Sequence, residues 1–317
     1  MNTRTKKQHF VPRFYLENFT DDHGQLWTHD SQQVTGRQTT PENTAYETNI
    51  YTPLDEDGNR IELVEDTLAE IESLAAGILP DLLACRPIAT EPKINFSIFL
   101  ATMFARSPAQ LRQFAQFQGE MADSVGFHAF NAENKRKEDR GELSDNEKRI
   151  YETFLNKKNY TMTVDRRIGL LGFTQSERMA EYISKMTWTY KISEKQQLLT
   201  SDNCFNWING GPTLTNQAYG FGLTHPQAVV PFPLSPNIIL RLDWLPRAGW
   251  GKYQLNKQNA RLANKYQAKH KERFLYYRDS DNGFQRLGMK YKCPPQQLNS
   301  GINAPSVSVV RKLKDEN

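Results

Sequence analysis

A change of hydrophobic period part-way along the chain constrains its fold more than any other feature. Between Leu63 and Leu83, the residues Leu68, Ile71, Ala75, Ile78 and Leu82 recur at three- and four-residue spacing, which predicts a helix with one apolar face. Glu65, Asp66, Glu70 and Glu72 crowd its first half, where the positive end of the helix dipole favours them. A second helix is expected from Pro92 to Arg106; its centre, Phe96 to Phe104, is apolar nearly all round and so buried, and Pro108 should kink or restart it. Another helix is expected over Gln175–Met186. From Trp188 the pattern becomes β-rich, in Trp188–Ile192, Gln197–Ser201 and Val229–Leu242, divided by Gly, Pro and Asn clusters. A last helix over Tyr253–Glu272 precedes a short aromatic strand, Phe274–Tyr277. Helices followed by strands favour an α+β fold, a helical N-terminal half packed on an antiparallel or mixed sheet from the C-terminal half.

With 317 residues the chain is long enough for one large core, and we expect a single domain over 1–317. Residues 133–149 hold twelve charged side chains, so this stretch is expected to be an exposed connection between a helical half (1–132) and a strand-rich half (150–317). Aromatic residues make up 11% of the chain and the net charge is only +4, which excludes a disordered protein. No apolar run approaches the ~18 residues of a membrane helix, so no membrane partner is expected. The start, MNTRTKKQHF, lacks a secretory apolar stretch, and Cys85, Cys204 and Cys293 lie too far apart for a disulfide framework. A cytoplasmic protein with reduced thiols is the expectation. Residues 241–317 carry 16 Lys and Arg against 6 Asp and Glu, while residues 1–240 carry 24 against 30, an asymmetry that suggests one surface meeting an anionic partner.

No nucleotide loop, zinc-protease helix or serine elbow occurs, and the six histidines have no ligand spacing, so neither metal nor cofactor is expected. Ser201-Asp202-Asn203 follows a β-rich run and precedes a glycine-rich loop; a carboxylate there is rigidly held and can face a cleft, or the three residues can form an Asx-turn. His9 and Arg13 stand among aromatics, suited to phosphate binding or proton transfer, or to a structural role. Phe232-Pro233-Leu234-Ser235-Pro236 cannot be a regular central strand and reads as an edge or corner. Lys257, Arg261, Lys265 and Lys269 are four apart, one stripe along a helix at ~6 Å steps that match the scale of phosphate spacing. Leu255, Leu262 and Tyr266 should anchor that helix, and Trp244, Trp250 and Tyr253 upstream offer rings for stacking. The same stripe also fits a merely solvated face.

Together these segments resemble a bacterial and fungal family of domains of unknown function. The resemblance rests on His9-Phe10-Val11-Pro12-Arg13-Phe14-Tyr15-Leu16, on Glu65 with Glu72, on Arg106-Ser107-Pro108, on Thr200-Ser201-Asp202-Asn203, on Pro233-Leu234-Ser235-Pro236, and on Asn256 and Asn259. The sequence departs from the family pattern at Cys204, where proline is usual. Some relatives resemble anti-phage DNA glycosylases that remove glucosylated hydroxymethylcytosine, so the resemblance implies double-stranded, modified phage DNA as partner and no cofactor. It places Asp202 first, with Glu72 in reserve, as the carboxylate stabilising an oxocarbenium-like sugar. His9 or Arg106 would stabilise the departing base. Arg13, Tyr15, Ser201, Asn203, Ser235, Asn256 and Asn259 would bind substrate, while the four-residue stripe would hold phosphates. The rival readings are a metal-dependent nuclease using Asp202 with Glu65 or Glu72, a non-catalytic nucleic-acid-binding defence or sensor protein, and a hydrolase acting on sugars outside DNA.

Overall fold

A computed structural model describes residues 7–33, 36–52, 63–155, 160–164, 170, 173, 176–210, 222–246, 250–291 and 307–311. The N-terminal segment forms β1 (Lys7–His9), the single turn α1 (Arg13–Leu16), β2 (Leu26–Asp30), β3 (Arg37–Thr39) and β4 (Tyr46–Thr48). Four helices then follow one another: α2 (Leu63–Leu83), α3 (Thr90–Ala105), α4 (Pro108–Asp139) and α5 (Asp145–Leu155). After β5 (Tyr160–Val164) and α6 (Ser176–Lys185) the chain turns to strands, β6 (Thr187–Ile192), β7 (Thr200–Ser201), β8 (Ile208–Asn209), β9 (Ala228–Ser235), β10 (Ile238–Asp243) and β11 (Gly251–Gln254). It continues through α7 (Lys257–His270), β12 (Phe274–Tyr277), α8 (Asn282–Lys290) and β13 (Val307–Arg311). The fold is α+β, as the change of period implies.

Helix α2 has the bounds its apolar repeat predicts, and it buries Leu68, Ala75, Leu79 and Leu82. Helix α3 is enclosed by α2, α6 and the strands, so Phe96, Ser97, Phe99, Leu100, Ala101, Thr102 and Met103 are all buried. The Arg106-Ser107-Pro108 sequence breaks the helix for a local reason. Arg106 caps α3, Ser107 turns extended and its Oγ accepts a hydrogen bond from Gln110 N at 3.3 Å, and Pro108 opens α4 with the donor a first turn does not need. The charged run over 133–149 is mostly helical and mostly exposed. Helix α4 continues to Asp139 and α5 begins at Asp145, with Lys137–Glu133 and Lys135–Asp139 pairs at 3.7 and 4.0 Å supporting its last turns.

The larger sheet has the order β11-β6-β10-β9-β8, antiparallel except for the parallel β11–β6 pair. Strand β9 pairs with β10 along its length but, among the described residues, with β8 only at Ala228 and Val229, so Pro231 and Pro233 lie beyond the stretch that β8 pairs. A second, antiparallel sheet has the order β3-β2-β12-β7. Half of it comes from the N-terminal thirty-nine residues, which modifies the expected division between a helical first half and a C-terminal sheet. Strand β2 is too short to stand alone, and it pairs with β12 with His29 opposite Leu275. One hydrophobic cluster runs from Phe10, Tyr15 and Leu16 through Phe96 and Phe99 to Tyr190, Phe232, Leu240 and Tyr276. The N-terminal motif is thus packed on the strands that follow Trp188. Among the described residues no helix is long and apolar enough to cross a membrane.

Candidate functional site

The N-terminal motif positions its side chains through Pro12, whose extended backbone starts the α1 turn. That turn buries Tyr15 and Leu16 and leaves Arg13 exposed. Tyr15 Oη donates to the carbonyl of Pro233 at 2.7 Å and meets Thr200 Oγ1 at 2.8 Å. Burial, with Cys204 beside it, holds the Tyr15 hydroxyl well above the usual tyrosine range. Tyr15 therefore serves as an internal strut between the TSDN turn and the PLSP corner.

Three of the motifs meet at a charged group. Arg106 is 1% exposed, and its Nη1 donates to Glu72 Oε1 at 2.5 Å, while Nη2 faces Met103 Sδ at 3.1 Å. Tyr51 Oη donates to the Arg106 carbonyl at 3.0 Å, which fixes the helix end from the other side. Nε of Arg106 and Nε2 of His9 are buried and lack hydrogen-bond partners among the described residues. His9 lies within electrostatic reach of both Glu72 and Arg13. Its pKa is lowered, first by burial and also by the Arg13 charge, against the pull of Glu72 and of backbone hydrogen bonding at Glu42 and Pro41. Glu72 keeps 31% of its side chain exposed, so the pair has a buried cation and a carboxylate that solvent reaches. Such a carboxylate can orient water or face developing positive charge.

Asp202 stands in a different environment, 2% exposed. Its Oδ1 accepts from Glu272 N at 2.8 Å, and its Oδ2 accepts from Arg273 N and Phe274 N at 2.6 and 2.8 Å. Burial and the neighbouring Glu272 carboxylate raise its pKa to about 7, opposed by those three N–H donors. The arrangement is a side chain capping a turn, and it aligns the entry to β12. From that turn Arg273 clamps Asp30 at the end of β2, through Nε and Nη2 at 2.8 and 2.7 Å. Arg106 and Asp202 both act electrostatically on buried Cys204. Burial pushes the Cys204 thiol up to about 12.

The remaining residues are dispersed. Ser201 Oγ donates to Gln267 Oε1 at 2.8 Å, Asn203 Nδ2 to the His270 carbonyl at 3.0 Å, and Ser235 pairs with Asn237 at 2.7 Å. Asn256 caps α7 by accepting from Asn259 N at 2.8 Å, with both side chains exposed and far along the helix from its His270 end. Lys257, Arg261, Lys265 and Lys269 are exposed, and among the described residues none of them forms an ion pair. Leu262 does not anchor that helix, being 57% exposed. The buried face is instead Ala260, Asn264, Gln267 and Ala268, whose amides were not singled out from sequence because polar residues blur the apolar repeat. Asn264 and Gln267 hold the strand segment before and after the TSDN turn, through Leu199 N at 3.0 Å and the Cys204 carbonyl at 3.1 Å. Among the described residues no group of three or more His, Cys, Asp or Glu is placed to hold a metal ion.

A family model described as a protein of unknown function (DUF4238) matches residues 7–281, most of the chain. No curated protein and no solved structure matches it.

Proposed function

We propose, from the premise that the chain belongs to the DUF4238 family of proteins of unknown function, that it is a cytoplasmic DNA N-glycosylase acting in anti-phage defence. The base to test first is glucosylated hydroxymethylcytosine, which the sequence resemblance indicates. The observation that carries the reading is the Glu72–Arg106 pair, a buried cation holding a solvent-reached carboxylate within electrostatic reach of His9. In this reading the bond between C1′ and the base nitrogen breaks, and the base departs with the electron pair and gains a proton. Water supplies a hydroxyl to C1′. The sugar passes through oxocarbenium character, which Glu72 stabilises while orienting the water. Arg106 holds Glu72 in place through Oε1, so that Oε2 is left for the reacting groups. His9 has its Nε2 buried, so we assign it a positioning role beside Glu72, not a contact to the leaving base. Asp202 has both oxygens committed to backbone donors, so we assign the catalytic carboxylate to Glu72 and a structural, turn-capping role to Asp202.

The exposed α7 stripe supports DNA as the partner, since basic side chains at phosphate spacing supply affinity without reading sequence. The capped state of Asp202 favours one further reading, a non-catalytic nucleic-acid-binding protein in which Glu72–Arg106 is only an ion pair. Incubating the purified protein with glucosylated and unmodified phage DNA, with a chelator present, and assaying free base by mass separates the two. Free base with abasic sites supports the glycosylase; DNA binding with no base released supports the binder.

A further inference from the structure

An open cleft of about 490 Å³ has aromatic walls, formed by Phe104, Phe114, Phe117 and Trp207. Phe104 and Trp207 lie with ring centroids 5.2 Å apart, and Phe117 is 55% exposed at the rim. Carboxamides edge the same space. Gln110 and Gln113 share the α4 face with Phe114 and Phe117, at spacings of three and four residues, and Asn206 lies across from them. His270, with its ring 4.3 Å from that of Tyr266, closes the end nearest α7, and the charge of Lys269 reaches it. Tyr266 Oη donates to the Trp207 carbonyl at 2.8 Å, which ties α7 to the cleft wall.

We propose that this cleft binds an unpaired nucleobase, stacked on its rings and edged by its amides, from a nucleic acid strand whose phosphates lie along Lys265 and Lys269. The occupant follows from complementarity on three counts. Flat aromatic walls match the π-face that every base has, amides offer both donors and acceptors to a base edge, and the adjoining helix carries exposed cations that form no ion pair among the described residues. The proposal rests on the reading of nucleic acid as the partner, and it adds a place for a base that no carboxylate lines.

The test is a fluorescence titration of the full chain with a short single-stranded oligonucleotide carrying one 2-aminopurine. Quenching on binding is expected. Phe117→Ala should abolish the quench and weaken binding about tenfold, a stacking loss of ~1–3 kcal/mol per base. Because Phe117 is exposed, the variant should keep its Tm; Gln113→Ala offers a second, milder change at the same wall. Lys265→Gln with Lys269→Gln should weaken binding at low salt but retain the quench at saturation. An unquenched probe, or a Phe117→Ala protein that binds and quenches like the parent, overturns the proposal. So does a concentration-dependent dimer that Phe117→Ala dissociates, since a second copy would then fill the cleft. Base release that persists beside an unquenched probe leaves the glycosylase standing and removes the cleft. A cleft-dependent quench with no base released does the reverse.

Discussion

Tyr15 and Thr200, 185 positions apart, share a 2.8 Å hydrogen bond between two side chains that are both 0% exposed. Because the Tyr15 hydroxyl gives its proton to the Pro233 carbonyl, Thr200 is the donor in this bond. Tyr15→Phe would leave both partners buried and unmatched, at about 1–3 kcal/mol each. Its Tm should fall by several degrees in a thermal melt followed by circular dichroism. An unshifted melt would show the strut to be unimportant.

Asp202→Asn should act on stability more than on turnover. A single amide oxygen cannot accept three backbone N–H groups, and at least one donor stays unmatched, at about 1–3 kcal/mol. Activity per folded molecule should change little.

The same carboxyl should leave a signature in pH. Folding raises its pKa from 3.8 to about 7, so between these values the folded protein holds a proton that the unfolded chain releases. Stability contributed by this group is therefore full below the lower value and falls as pH rises, by about 1.4 kcal/mol per unit, until the upper one. Subtracting the Asp202→Asn stability curve from that of the parent isolates this slope in urea melts. A difference independent of pH would remove the assigned burial effect.

Replacing Lys257, Arg261, Lys265 and Lys269 with Gln should flatten the dependence of DNA affinity on salt. Four phosphate contacts correspond to a log–log slope of about −3.6 on duplex DNA. Binding measured across a salt series gives the slope directly, and equal slopes for the parent and the variant would assign the stripe to solvation.

Legibility followed from how each element gets its stability. Helix α2 and strand β12 were readable because their own residues carry the period that buries them, Leu68 to Leu82 in one and Phe274 to Tyr277 in the other. Helix α4 was not, since its 32 residues mix an aromatic face near Phe114 with a charged end that reads as a linker. The pairing of β2 with β12 was also hidden: two short strands nearly 250 residues apart leave no local trace of their register. For the site, the N-terminal motif, Glu72, Arg106 and Asp202 were all singled out, but their partners were not. Only the fold shows that Arg106 binds Glu72 while three backbone amides take Asp202, because residue type does not reveal which carboxylate is already engaged.

Glu72 is the carboxylate we propose to perform the chemistry. The most direct measurement is release of free base from glucosylated DNA, followed by mass with a chelator present, for the parent and Glu72→Gln proteins side by side. Free base and abasic sites are expected from the parent, with a loss of about a hundredfold or more in Glu72→Gln and DNA affinity retained, the size expected when a charge facing the transition state is removed. Base release from Glu72→Gln at the parent rate, or none from the parent, would contradict this proposal.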